Sequence, residues 1–459
     1  MAARARWLWL LPSSVLTTAA IFGVLAAIGP AIAVGVAAAI VFAYIVFADF
    51  AAGFAILAFL SFLEILPTSG SLSPAKGAGL LLAVAWLARI SLREREERDF
   101  FADHPQLTWL MVAFLTWGAI TLLWSTQTGP GLTALSRYLP NILLLPIAYT
   151  AMRGRRDVML VLAAIVIGAV LAAGFGILQP PEASIALEGR ATGTIGDPNE
   201  LAAALLVGLA LAAGFALGRE RSPALRLGAL LAIPLCAAGI FLSLSRGGLI
   251  ALAALLVAGT VFAGRWRLAV TAILVAVVAG GVVYFTQIAS LPARERVTSS
   301  NGGSGRSDLW TVGLRMVDAH PLGGVGVGNF PVVSRNYALQ PGALRRSDLI
   351  FSAEPKIAHN TYLQIMAETG VPGLLLFLGI VLACLSCALR AARVWAKRHD
   401  RTMEALARSL LLALIGMLVA DFFISQMYSK LLWVGLALGP AMLAIANREA
   451  QRSALTLSG

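Results

Sequence analysis

Four residues of this chain have the types and positions to do chemistry: His359, Arg190, Arg246 and Arg306. His359 stands in Ala358-His-Asn-Thr-Tyr362, a polar cluster directly ahead of a long apolar run. A helix that starts there turns its positive end towards the imidazole, disfavours the imidazolium and leaves the neutral ring that a general base needs. The competing account is structural: an interfacial histidine bonded to a nearby carbonyl. The three arginines come from separate hydrophilic segments. Guanidinium groups hold phosphate through forked hydrogen bonds and stay charged at a low-dielectric boundary. If they converge near His359, the site has one base and a cationic clamp. That suits a displacement whose leaving group is a lipid diphosphate, which gains negative charge in the transition state. Taken singly, each arginine reads first as a surface or headgroup contact. Arg246, in Leu242-Ser-Leu-Ser-Arg-Gly-Gly-Leu249, resists that account most, because an ionisable residue between two apolar runs is a functional hypothesis by default.

Other constellations are weaker. His104 and His399 lie in hydrophilic connectors and read as solvated, while His320 precedes Pro321 at a helix end. No two histidines share ligand spacing, and Asp197, Asp308, Asp318, Asp348, Glu354 and Glu368 are scattered. The pattern argues against a bound metal and against a paired-carboxylate glycosidase, and no cofactor is expected. There is no GxSxG elbow. The string Pro321-Leu-Gly-Gly-Val-Gly-Val-Gly-Asn329 follows no strand and lacks a Walker lysine, so it reads as a flexible turn rather than a nucleotide loop. Asp197-Pro-Asn199 reads as helix-start chemistry, with Asn199 as a cap. Glu368, in Glu-Thr-Gly-Val-Pro-Gly373, lies too deep along its helix to orient His359 without a bend. The three cysteines, Cys236, Cys384 and Cys387, sit in apolar runs and read as packing residues.

The elements that must position these residues are membrane helices. Of 459 residues, 59% are hydrophobic and 13% charged, with mean hydropathy +0.84. Soluble domains carry about 25% charged residues. Apolar runs near the length of a bilayer crossing recur at about 8–28, 31–48, 51–66, 75–91, 107–125, 134–152, 157–178, 198–218, 226–243, 247–263, 267–288, 362–389, 404–424 and 430–447. They are continuous rather than alternating, which excludes a barrel. The expected fold is an all-α polytopic membrane protein of about 12–14 transmembrane helices. The basic N-terminus resembles a signal peptide, but it reads as the start of a retained first helix.

Orientation follows from the basic connectors. Arg153, Arg155 and Arg156; Arg219, Arg221 and Arg226; Arg265 and Arg267; and Arg390, Arg393, Lys397, Arg398 and Arg401 all belong to the cytoplasmic side by the positive-inside rule. Both termini then fall inside. The net charge of +12 is explained by this bias and not by nucleic acid. The outside holds Arg190, Arg246 and one long hydrophilic stretch, roughly Ser290–Asn360. The chain divides into an N-terminal transmembrane bundle (1–288), this loop (289–360) and C-terminal transmembrane helices (361–459), all one integrated membrane domain. Within the loop, Ser307–Ala319 and Phe330–Ala338 read as short helices, Gln340–Lys356 reads as mobile, and Asn360 or Thr361 caps the next helix.

The ordered set RATGTIGDPN, SLSRGG, GRSDLW followed by HPLGGVGVGNF, and HNTYLQIMAETGVPG resembles the bacterial O-antigen ligase and polymerase superfamily, by motif over about residues 185–375 and by topology over the whole chain. The resemblance implies a GT-C-type membrane glycosyltransferase of the bacterial inner membrane. It would work without a metal on the periplasmic side and invert the transferred anomeric centre. The implied donor is a glycan on undecaprenyl diphosphate. The implied acceptor is lipid A–core in the ligase branch, or a second lipid-linked repeat in the polymerase branch, where a chain-length regulator is expected as partner. His359 falls on the family's loop histidine, the proposed base. Arg190 and Arg306 fall on its outer-loop arginines, proposed to hold the diphosphate, and Arg246 on its SRG arginine. A transporter is the rival class, disfavoured because polar groups gather at the outer side rather than at the midplane.

Overall fold

The structure, a computed structural model, describes residues 27, 29–63, 73–91, 99–179, 189–218, 222–291, 294–295, 306–341 and 356–458. No strand occurs among the described residues, and the chain is an all-α polytopic membrane protein. Eight of the described helices are long and apolar enough to cross a membrane, and Ala33–Ala48, Phe50–Leu60 and Arg246–Phe262 are shorter apolar helices. The expected first span, at 8–28, lies outside the described residues but for residue 27, as does most of the stretch expected to be mobile. The run expected over 51–66 ends as a helix at Leu60, where Ser61 turns its hydroxyl back to the Leu57 carbonyl at 2.9 Å.

Helix starts follow local chemistry. Pro198 opens α1 (Pro198–Leu217) and Pro223 opens α2 (Pro223–Leu242), positions where a missing N–H costs nothing. Ser245 caps α3 (Arg246–Phe262) through the Gly248 N–H, and Asn360 caps α6 (Thr361–Lys397) through the Leu363 N–H at 3.0 Å. Between them, α4 (Arg306–Ala319) and α5 (Phe330–Ala338) are the two expected loop helices. They share a small apolar core, with Val312, Met316, Phe330 and Val333 packed beside Ala367 of α6. The bundle centre is α1 with α7 (Arg401–Ala420) and α8 (Lys430–Ser458), the most buried of the long helices. Small residues permit the close approach: a Cβ on Gly214 would stand 1.9 Å from Ser409 Oγ. The three cysteines are free and buried.

Several basic connectors meet at one end of the bundle. Arg155 pairs with Asp400, Arg156 with Asp49 at 3.2 Å, and Arg265 and Arg408 each with Glu404 at 3.0 Å. From Arg401 at this end, the 20 residues of α7 carry the chain to Asp421 at the other, a rise of about 30 Å. That second end holds all four candidate residues. His104, expected to be solvated, is half-buried between Phe100 and Tyr149. Burial lowers its pKa, with Asp103 opposing and Arg390 adding to the effect.

Candidate active site

The site is assembled by three turns at this end of the bundle. The first joins the segment around Arg190 to the turn between α2 and α3. Ala191 N–H donates to the Leu242 carbonyl at 3.0 Å. Arg190 is buried, and its guanidinium donates from Nε to the Ser243 carbonyl and from Nη2 to Asn199 Oδ1, both at 2.9 Å. The same Asn199 oxygen accepts Ser245 Oγ–H at 3.0 Å. Asn199 is therefore not the cap of α1. Asp197 takes that role, accepting the N–H groups of Asn199 and Glu200 at 2.7 and 3.0 Å, and frees the Asn199 side chain to fix the arginine. Arg246 follows Ser245 as the first residue of α3 and is half-buried. Leu244 adopts φ 48°, a left-handed conformation rare for leucine, in the tight turn that sets Ser243 and Ser245 on either side of it.

The second turn presents His359. The residue has φ 46°, also left-handed, and is half-buried. Its conformation is imposed from the next residues onward. Thr361 N–H donates to the Asp421 carbonyl at 2.8 Å, Thr361 Oγ1 donates to the Ile424 carbonyl at 2.9 Å, and Gln426 N–H donates back to Thr361 Oγ1 at 2.9 Å. Non-glycine residues held this way cost about 1–3 kcal/mol and concentrate at functional sites. The imidazole has no hydrogen-bond partner among the described residues, so the carbonyl-bonded alternative does not describe it. Burial lowers the His359 pKa, and the positive charge of Arg306 lowers it further, against an opposing pull from Asp197.

Arg306 begins α4 and is the electrostatic link between the turns, acting on both His359 and Arg190. Burial pulls the Arg190 pKa down, Asp197 raises it and Arg306 lowers it. His359, Arg190, Arg306 and Asp197 thus share one neighbourhood, and Arg246 stands one residue from Ser245, which bonds the oxygen that holds Arg190.

The third element is the glycine string, which is pinned rather than loose. Val325 N–H and Gly326 N–H donate to the carbonyls of Ala367 and Glu368, both at 2.9 Å, and Val371 N–H donates to the Pro321 carbonyl at 2.8 Å. Asn329 brackets Gln127 with a pair of bonds at 2.9 and 3.0 Å. Glu368, fully buried, accepts Gly328 N–H at 2.8 Å and Gln364 Nε2–H at 3.1 Å. Its work is to hold this loop, not His359. The helix does bend just beyond it: Gly370 has φ 71° and breaks the helical path of α6. Asp421 is one of the few charged residues in the apolar runs. It is fully buried, neither carboxylate oxygen has a hydrogen-bond partner, and burial together with the nearby Glu200 charge raises its pKa strongly.

Residues 229–378 match the family model described as O-antigen ligase. This segment, about a third of the chain, is similar to that family. The match takes in Arg246, Arg306 and His359 and the pinned glycine string, and stops short of Arg190 on the N-terminal side. A search among curated proteins finds no match. The match over this segment agrees with the resemblance carried by the motifs, and those motifs sit at one end of the helix bundle.

Proposed function

We propose that this protein is an inverting glycosyltransferase that moves a glycan from undecaprenyl diphosphate to a hydroxyl of lipid A–core, at the periplasmic face of the bacterial inner membrane. The observation that carries this reading is the convergence of His359, Arg306 and Arg190 in one electrostatic neighbourhood at the bundle end opposite the basic connectors. By the positive-inside rule that end faces the periplasm. Neutral His359 takes the proton from the acceptor hydroxyl. The acceptor oxygen forms its bond to the anomeric carbon as the bond to the diphosphate oxygen breaks, on the opposite face of the sugar. The electron pair of the broken bond stays on the diphosphate, whose growing charge is met by Arg190, Arg306 and Arg246. The lowered His359 pKa supports a base that is neutral at ambient pH. The anchoring of Arg190 by Ser243 and Asn199 supports a preorganised cation, which needs no reorientation as the charge develops. His359 then returns its proton to solvent.

The test is transfer by purified protein from a lipid-diphosphate glycan, with lipid A–core and a second lipid-linked repeat as parallel acceptors, in the presence of EDTA, beside His359→Ala. Product on lipid A–core, absent with His359→Ala, supports ligation. A ladder on the lipid-linked repeat replaces ligation by polymerisation. No product on either acceptor, with compatible substrates, turns the reading towards transport.

A further inference from the structure

A cavity of about 290 Å³ opens beside the charge cluster and is not used by the mechanism above. Its walls are mostly polar, with Arg137, Glu200, Ser425, Gln426, Tyr428 and Ser429. The size sits at the low end of small-molecule sites, roughly 300 Å³. Two of its walls continue into the candidate site. Glu200 is the residue after Asn199, which holds Arg190. Gln426 is tied through its N–H to Thr361, two residues past His359.

We infer that this cavity is a carbohydrate subsite, which takes sugar hydroxyls of a lipid-linked glycan or of its acceptor beside the reacting centre. Four observations point to that ligand class. The lining mixes one cation, one carboxylate, an amide and hydroxyls, which is a donor and acceptor set suited to a polyol. Glu200 in the wall opposes a phosphate. Ser425 Oγ, on the wall, is buried and has no hydrogen-bond partner among the described residues, so a buried polar group is left for a ligand to satisfy. The wall is also built in advance: the Arg137 guanidinium lies 5.6 Å from the Tyr428 ring centroid, and Asn141 Nδ2 donates to the Tyr428 carbonyl at 2.9 Å.

The inference rests on the glycosyl-transfer reading, and its test separates the two. Wild type, Arg137→Gln and Glu200→Gln are compared in lipid nanodiscs. Arg137 is exposed, so its replacement leaves folding intact if Glu200→Gln does not fold. Three quantities are read: KM for the lipid-diphosphate glycan, KM for the glycan acceptor, and affinity for undecaprenyl diphosphate without sugar. The subsite requires a rise of about tenfold in one of the two KM values, with kcat held and affinity for the sugar-free lipid unchanged. A rise in the donor KM assigns the cavity to the donor glycan, and a rise in the acceptor KM to the acceptor. Parallel loss of affinity for the sugar-free lipid would make it a phosphate site and overturn the inference. So would three unchanged values. If wild type transfers nothing, the glycosyl-transfer reading fails by itself. The subsite is then read by direct binding of the free oligosaccharide released from the source cell's lipid-linked glycans. Binding weakened by the two variants sustains it, and binding that is absent or unchanged ends it.

Discussion

Arg190 donates from Nη2 to Asn199 Oδ1 at 2.9 Å, and this bond fixes where a buried cation points. Asn199→Ala removes it and also leaves Ser245 Oγ without this acceptor. Since a hydrogen bond to a charged group contributes about 1.5–3 kcal/mol, donor affinity should fall roughly tenfold or more. Equilibrium binding of undecaprenyl diphosphate, with and without its glycan, reads the change. Affinity equal to wild type would show that the Asn199 bond is not needed to aim Arg190, which the Ser243 carbonyl still holds.

His359 is expected to act as a base and not as a binding group. Replacing it should lower transfer by about 10²–10⁴-fold while donor affinity stays within a factor of about two. Alanine is a poor substitute by itself, because φ 46° strains any residue that favours right-handed backbone. Asparagine tolerates the left-handed region, so His359→Asn keeps the turn and loses the base. Single-turnover transfer and melting temperature measured on both variants separate chemistry from folding. A His359→Asn protein that is folded and active ends the proposed mechanism.

Much of this arrangement was legible in the sequence, for identifiable reasons. Continuous apolar runs gave the helical membrane class, and amphipathic spacing placed α4 and α5 to within a residue. His359, Arg190, Arg246 and Arg306 stand out in the sequence because their residue types are costly beside a membrane and demand an explanation, and the fold brings them to one end of the bundle. Asn199 was misread because Asp197 and Asn199 are equally good caps by type. Only the fold shows that Asp197 accepts the helix amides and leaves Asn199 to the arginine. The glycine string was read as loose because glycine is permissive. Here the permissive backbone lets Gly324 and Gly328 take positive φ in close contact with Glu368 and Pro130. The charge of Asp421 in an apolar run is legible in the sequence, but its unpartnered burial is not, since that is a property of packing alone.

The pH dependence of transfer should betray Arg306. Burial and the Arg306 charge lower the His359 pKa, so the base stays neutral to lower pH than an ordinary histidine. The acid limb of kcat/KM should therefore lie below the usual histidine range, with activity lost as pH falls through the depressed value. Arg306→Gln removes a cation that opposes the imidazolium and should move the limb to higher pH. Arg306→Lys keeps the charge and should leave it in place, even if donor affinity falls. A limb unmoved by Arg306→Gln would separate the arginine from the histidine.

Gly370 tests whether the pinned loop supports the site. It has φ 71°, and a Cβ there would stand 2.2 Å from the Leu322 carbonyl oxygen. Gly370→Ala must shift the strand of chain that runs from Pro321 to Asn329, and it endangers the bond from Val371 N–H to the Pro321 carbonyl. The conformational penalty alone is about 1–3 kcal/mol. Gly228 in α2 is the control, because a Cβ there meets nothing within 4 Å and alanine favours a helix. Gly370→Ala should lower the thermal midpoint in detergent, and Gly228→Ala should hold or raise it. Transfer should fall with Gly370→Ala even at temperatures where the protein remains folded, since the loop joins the C-terminal end of α4, which begins with Arg306, to the first turns of α6, which follow His359. Full activity in a folded Gly370→Ala protein would show that the loop can move without disturbing the pair.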